Sequence, residues 1–422
     1  MRSLLGRFHR PMSRGLVNNM LTMNNLGDGS TLSLDFTTMG GVIDPRLTFT
    51  RASTVATYIN SSGYVATATT NEPRFDYSPT NIGEPSGLLI EVQGINLLLQ
   101  SNDWNTTWNI PAPITWNGST YATAPDNTNT AKQITVTAGA SSAIGQAVTT
   151  GTNRTISVWL RGGSLTSFSI GAFDAGGTSW GNNADSTCSI ISGPGSVTQQ
   201  VGGLWSITGL STTQWTRIQI FRSTTYTTFL AYPGSSSGTI NGTAFMWGMQ
   251  MEAGSGASSY IPTGASQVTR NEDVCYMSGI SSWFNESAGS IISNVTYNGL
   301  ANANSGIEFS VGTTVSGTNR IGIRRFYIDY ISGGVTSAFF SSTVTSGNVR
   351  TGTAYSLNDF AICSNGGVMS VDATGAVPVG IDTLKFYAAA SSSGLILNGW
   401  IKSIKYFPTR LPNAQLQALT AT

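Results

Sequence analysis

The sequence predicts an all-β protein: two antiparallel β-sandwich domains after an extended N-terminal arm. Three observations lead there. Charged residues make up only 10% of the 422 residues, against roughly 25% in a typical soluble protein. Ser, Thr, Asn and Gly must therefore supply the polar surface, and these residues favour turns and strands over helices. Short apolar runs of period two recur along the chain between Gly-, Ser- and Asn-rich turns. The chain is also too long for one ordinary core, which points to two domains.

Residues 1–30 stand apart. Arg2, Arg7, His9, Arg10 and Arg14 precede the first acid, Asp28. Pro11, Arg14, Asn18 and Asn19 interrupt the apolar stretch that a signal peptide needs. Basic groups interspersed with Leu4, Leu5, Phe8 and Leu16 read as an anchoring arm that orders on a partner, with Arg2, Arg7, Phe8, Arg10 and Arg14 as its contacts.

Residues 31–100 form the densest run of specific sequence. Asp35, Asp44, Arg46, Arg51, Arg74, Asp76 and Glu91 sit among short β-type runs such as LTFT, ATYI and LLIEV. Charges kept among tight turns, in a chain this poor in charge, predict internal pairing. The stretch reads as a strand-rich collar packed on the first sandwich. TRNED at 269–273 is expected to rejoin it and pass the chain to the second sandwich.

Residues 101–268 read as the first sandwich. Ile156, Val158 and Leu160 alternate strictly, as do Ile218 and Ile220. Eight or more such strands close naturally as a jelly roll. Trp104, Trp108 and Trp116 are expected to cap the end of the sandwich rather than offer a sugar platform. Residues 269–422 read as the second sandwich. Within it, Arg320, Arg324 and Arg325 alternate with apolar residues, which predicts a strand with one solvated face. PTRLPNAQLQALT predicts a C-terminal helix with Asn413 as N-cap and Leu416 and Leu419 on one face.

Most catalytic chemistry is excluded. His9 is the one histidine, which removes Ser-His-Asp and Cys-His catalysis and zinc sites built on several histidines. No phosphate-cradling loop follows the Walker pattern. Glycoside hydrolysis needs two facing carboxylates. Asp174, Asp185, Glu252, Glu308 and Asp329 are the candidates, and none sits in a paired motif, so no enzymatic activity is expected. No cofactor is implied; calcium at a sandwich rim is left open, with Asp174 and Asp185 available. Cys188, Cys275 and Cys363 are widely spaced and odd in number, which predicts buried thiols. A net charge of +1 makes no case for nucleic acid, and no apolar run is long enough to insert in a membrane.

Binding is better supported than catalysis. Trp180 lies in the Gly-Asn-rich AGGTSWGNNADS, Trp205 opens WSITGL, and Tyr226 sits in STTYTTF. An aromatic ring on a polar loop stacks on a sugar face, and these three are the candidate carbohydrate contacts.

LDFTT, DPRLTFTRASTVATYINSSGYV, NEPRFDYSP and GLLIEVQGINLLLQSNDW resemble the shared module of tailed-bacteriophage fibres and other virion-surface proteins. SYIPTGASQVTRNEDV and KSIKYFPTRLPNAQLQALT are similar to the same group. The resemblance implies a carbohydrate-binding-module-like jelly roll in the middle and a concanavalin A-like or laminin-G-like sandwich at the end. It implies a virion protein, produced in the host cytoplasm, whose partners are tail, baseplate or portal-adaptor proteins and host cell-surface polysaccharide. A homotrimer is the expected assembly, and a tail fibre or receptor-binding adhesin the expected role. A head fibre, decoration or baseplate component is the first alternative and a polysaccharide depolymerase the second. No catalytic motif transfers, and the arm matches nothing in the group.

Overall fold

The computed structural model describes residues 27–38, 40–103, 107–110, 114–137, 143–173, 186–200, 204–234, 241–298, 305–312, 318–341, 347–386 and 397–421. The anchoring arm with Arg2, Arg7, Phe8, Arg10 and Arg14 lies outside the described residues, as do Trp104, Trp180, Asp174 and Asp185 and the Tyr226 side chain.

Among the described residues every strand pairing is antiparallel, and most strands fall into four large sheets that stack as two sandwiches. The first sandwich joins a six-stranded sheet, centred on Arg154–Gly162, to a five-stranded sheet centred on Phe168–Phe173. The alternation seen in the sequence is the inward face. Ile156, Val158, Leu160, Ile218 and Ile220 meet Phe168, Ile170, Ile207 and Phe229 in one core. Trp108 is buried there, edge-on to Phe229, with its indole N–H donated to the Leu99 carbonyl at 3.1 Å.

The second sandwich joins an eight-stranded and a seven-stranded sheet. Its core draws Ile291, Ile401 and Tyr406 from one sheet and Phe309, Ile323 and Tyr330 from the other. Residues 31–100 are not a layer packed on the first sandwich, as the sequence reading had it. Leu32–Asp35 pairs with the second half of Gly399–Phe407, and Pro85–Ile90 with its first half. Thr48–Thr50 extends the opposite sheet through Val274–Ser278. The hairpin of Ala56–Ile59 and Val65–Ala68, and the strand Gly94–Asn96, do lie against the first sandwich. Local periodicity marks these strands but not their partners, which stand more than 300 residues away for Leu32 opposite Tyr406. The long-range closure costs little more entropy than a short one, and it buries Leu32, Leu34, Leu88 and Ile90 completely.

Two smaller expectations also change. The helix spans Asn413–Thr420 with Pro412 at the N-cap, so Asn413 is its first residue, and its side-chain oxygen accepts instead from Arg410 at 2.6 Å. Leu416 is buried and Leu419 packs beside it. The Arg320–Arg324 strand has no solvated charged face. Arg324 is buried against Glu308, and Arg320 bonds Asp329 at 2.6 Å. In a chain with so few charges, these are used inside rather than on the surface.

A cavity at the junction of the two sandwiches

Five charged residues that flank short strands converge between the sandwiches. Arg51 follows Thr48–Thr50, Arg74 opens Arg74–Tyr77, and Glu91 follows Pro85–Ile90; Arg270 and Asp273 come from the TRNED segment. All five are 2% exposed or less. Asp273 accepts from Arg51 at 3.0 Å, from Arg74, and from the Glu91 backbone N–H at 2.9 Å. Glu91 accepts from Arg74 at 2.7 Å and from the Ser259 backbone N–H at 2.8 Å, and Arg270 stands 3.6 Å away. Burial alone would raise the Glu91 carboxyl; Arg270 and Arg74 outweigh it and hold it at about 2. Buried charges persist only when paired and hydrogen-bonded, and this clamp is the pairing that the charged collar predicts. Asp35 and Asp44 act locally instead. Asp35 caps the turn at Thr37, and Asp44 pairs with Arg46 at 2.7 Å.

Beside the clamp lies a cavity of about 660 Å³ with three walls. The collar gives Tyr58, Asp76 and Tyr77; the first sandwich gives Trp159, Arg217 and Gln219; the second gives Asn298, Trp400 and Lys402. Strand pairing aims these groups. Asp76 lies opposite Gly87, and Leu89, two residues on, lies opposite Trp400. Gly87 has φ +114°, and a Cβ there would stand 2.3 Å from the Ile401 carbonyl oxygen. Only glycine lets the collar strand approach this closely. As a result, one Asp76 oxygen accepts from the Ile59 N–H and the other from the Trp400 indole N–H at 2.7 Å. Burial pushes the Asp76 carboxyl up to about 6, against the opposing pull of those two donors and Arg74.

The wall is a mixture of ring faces, amides, hydroxyls and a few charges, and its volume falls within the range of small-ligand sites. The two lining carboxylates are engaged, Glu91 by the clamp and Asp76 by two N–H donors. Of the carboxylates read from the sequence as hydrolytic candidates, the described ones, Glu252, Glu308 and Asp329, do not line the cavity. Glu308 is held by Arg324 and by Lys385 at 3.4 Å, and Glu252 by Ser258 at 2.5 Å. Among the described residues, no group of three or more His, Cys, Asp or Glu side chains is placed to hold a metal ion.

No protein-family model matches the chain. No curated protein matches it either. Among solved structures, it is similar to the Ruminococcus gnavus IT-sialidase CBM40 bound to α2,3-sialyllactose, at 12% identity and TM-score 0.28 over 33% of this chain and 84% of that one. It is also similar to the Trypanosoma rangeli sialidase in complex with the inhibitor DANA, at 11% identity and TM-score 0.25 over 35% of this chain and 26% of that one. At these values the likenesses carry nothing about the cavity.

Of the sequence-predicted contacts, Trp205 is described and is not on an open surface. It shares a face with the buried Ile207, packs against the first core, and donates its indole N–H to Ser186 on the opposite sheet at 3.2 Å. The strand alternation that puts Ile207 inside puts Trp205 inside too. Trp400, Arg217 and Lys402 were missed as site residues, since each sits within an ordinary alternating strand (GWIKSIKYF, TRIQIFR). Asp76 was read only as part of the collar.

Proposed function

We propose that this chain is a glycan-binding protein of a bacteriophage particle, a tail fibre or receptor-binding adhesin, and that it binds without cleaving. The observation that carries the glycan reading is the junction cavity, where Tyr58, Tyr77 and Trp400 line one space with Gln219, Asn298 and Lys402. Pyranose rings stack their C–H faces on such rings, while amides and hydroxyls bond the sugar hydroxyls. The virion reading rests on the sequence phrases that resemble phage fibre modules and on the low-charge, Ser/Thr/Asn/Gly-rich composition. Several copies on one particle would turn weak single sites into firm attachment.

A depolymerase is the second reading, because Asp76 is displaced upward and Glu91 downward on the same wall, and divergent carboxyls are the mark of acid–base pairs. The engagement of both carboxylates favours binding. Purified protein is expected to bind a subset of a glycan array, with Trp400→Ala lowering the signal at least tenfold and no reducing ends released from bound polysaccharide. Array silence would overturn the glycan reading, and release of reducing sugar would establish the depolymerase. Immunogold labelling of intact particles tests the virion reading: label at the tail supports the fibre, and unlabelled particles refute it.

A further inference from the structure

Arg217 differs from the other deeply buried arginines around it. Arg51, Arg74, Arg270 and Arg324 each have a carboxylate oxygen within 4.0 Å. Arg217, only 9% exposed, has none among the described residues. Its Nη2 donates to the Ser157 hydroxyl at 3.0 Å and the Ser258 carbonyl at 2.9 Å, and its guanidinium carbon lies 4.2 Å from the centre of the Trp159 ring. Its Nε has no hydrogen-bond partner among the described residues, which is equally true of Arg51, Arg74, Arg270 and Arg324, so the missing carboxylate is what sets Arg217 apart. Burial holds the group down to about 10, with Glu252, Glu91 and Asp76 acting only from a distance. A buried cation left without a counter-ion is costly, and this one lines the cavity. Lys402, on the wall contributed by the second sandwich, makes no ion pair with any described residue. The lining acids do not pair with these two cations: Glu91 is already matched by Arg74 and Arg270, and Asp76 accepts from the Ile59 and Trp400 N–H groups instead.

We propose that the junction cavity takes an acidic sugar whose carboxylate pairs with Arg217. The inference rests on the glycan reading and adds its substrate class. A carboxylate supplies the counter-charge that Arg217 lacks; with both Nη2 hydrogens given to Ser157 and Ser258, the contact is a single charge-assisted hydrogen bond rather than a two-pronged one. Its sugar ring lies against Tyr77 and Trp400, and Lys402 adds a second positive charge. A doubly charged phosphate or a cluster of sulfates fits less well, because Asp76 and Glu91 line the same cavity.

The test is an array of carboxylated oligosaccharides beside their carboxyl-reduced counterparts and sulfated neutral ones, followed by calorimetry on the best pair with the full chain. The acidic form is expected to bind wild-type protein at least about tenfold more tightly than the reduced form, as for loss of one partner from a buried charge pair. Arg217→Gln is expected to erase that preference and Arg217→Lys to keep part of it. Arg217 also ties its strand to the Ser258 loop, so the wild-type comparison of the two ligands stands whether or not the variants fold. Equal binding of acidic and reduced forms, abolished together by Trp400→Ala, overturns the acidic-sugar inference and leaves the glycan reading intact. Preference for the sulfated ligands overturns the carboxylate assignment. Binding of none of the three overturns both.

Discussion

Replacing Asp273 by Asn tests whether the buried clamp holds the two sandwiches and the collar as one unit. Asp273 is fully buried and is the acceptor shared by Arg51, Arg74 and the Glu91 backbone N–H. The amide keeps the volume and one acceptor oxygen but removes the charge. Arg51 is then left in the interior without a carboxylate, and Arg74 keeps Glu91 alone. Breaking a buried ion pair by removing one partner costs about 3–5 kcal/mol, because the remaining charge is uncompensated. A loss of about 4 kcal/mol is expected for Asp273→Asn, close to a thousandfold in the folding equilibrium. The neighbouring Glu272→Gln removes a partly exposed charge and is expected to stay within about 0.5 kcal/mol of wild type. Urea unfolding followed by tryptophan fluorescence and by far-ultraviolet circular dichroism measures both. The clamp spans collar and TRNED segment, so the variant is also expected to separate transitions that coincide in the wild type. A double-mutant cycle with Arg51→Met should return a coupling above about 1 kcal/mol. A loss below about 1 kcal/mol for Asp273→Asn, with no change in the shape of the transition, refutes the clamp as a source of stability.

Three further outcomes follow from the same geometry. Asp76 stands at about 6 in the fold against an ordinary 3.8, so its contribution of about 3 kcal/mol is fully present below pH 4 and lost as pH rises through 6. Glu91 stands at about 2 against 4.5, so its comparable contribution is present above pH 4.5 and lost as pH falls toward 2. Asp76→Asn should flatten the wild-type decline in melting temperature between pH 4 and 6, and Glu91→Gln the acid limb below 4.5; unchanged limbs contradict the assignment. Gly87→Ala places a Cβ against the Ile401 carbonyl at positive φ and should cost at least about 2 kcal/mol in urea unfolding, with the Asp76–Trp400 bond weakened; a neutral substitution would show that the strands can separate. Trp205→Ala removes a core-facing indole and should cost about 3 kcal/mol while leaving the affinity of the remaining folded protein for glycan within twofold, measured by calorimetry; a selective loss of affinity would restore Trp205 to the site.

The sequence by itself determined the fold class. Sparse charge, turn-forming residues and period-two alternation are local properties, and Ile156, Val158 and Leu160 face inward for the same reason they alternate. It also showed that the collar charges would pair internally, since Arg51, Arg74 and Glu91 are charges kept among short strands and tight turns in a chain with few charges. The tertiary structure decided with whom they pair. Leu32 meets Tyr406, Arg51 meets Asp273, and Asp76 meets Trp400, 324 residues away. No local pattern encodes such partners, because strand alternation specifies a face and not a neighbour. The cavity arises from those meetings. Arg217 and Trp400 look alike in sequence to other strand residues, and they become site candidates only once the fold sets them around one cavity, Trp400 bonded to Asp76 beside the close glycine contact and Arg217 without a counter-charge.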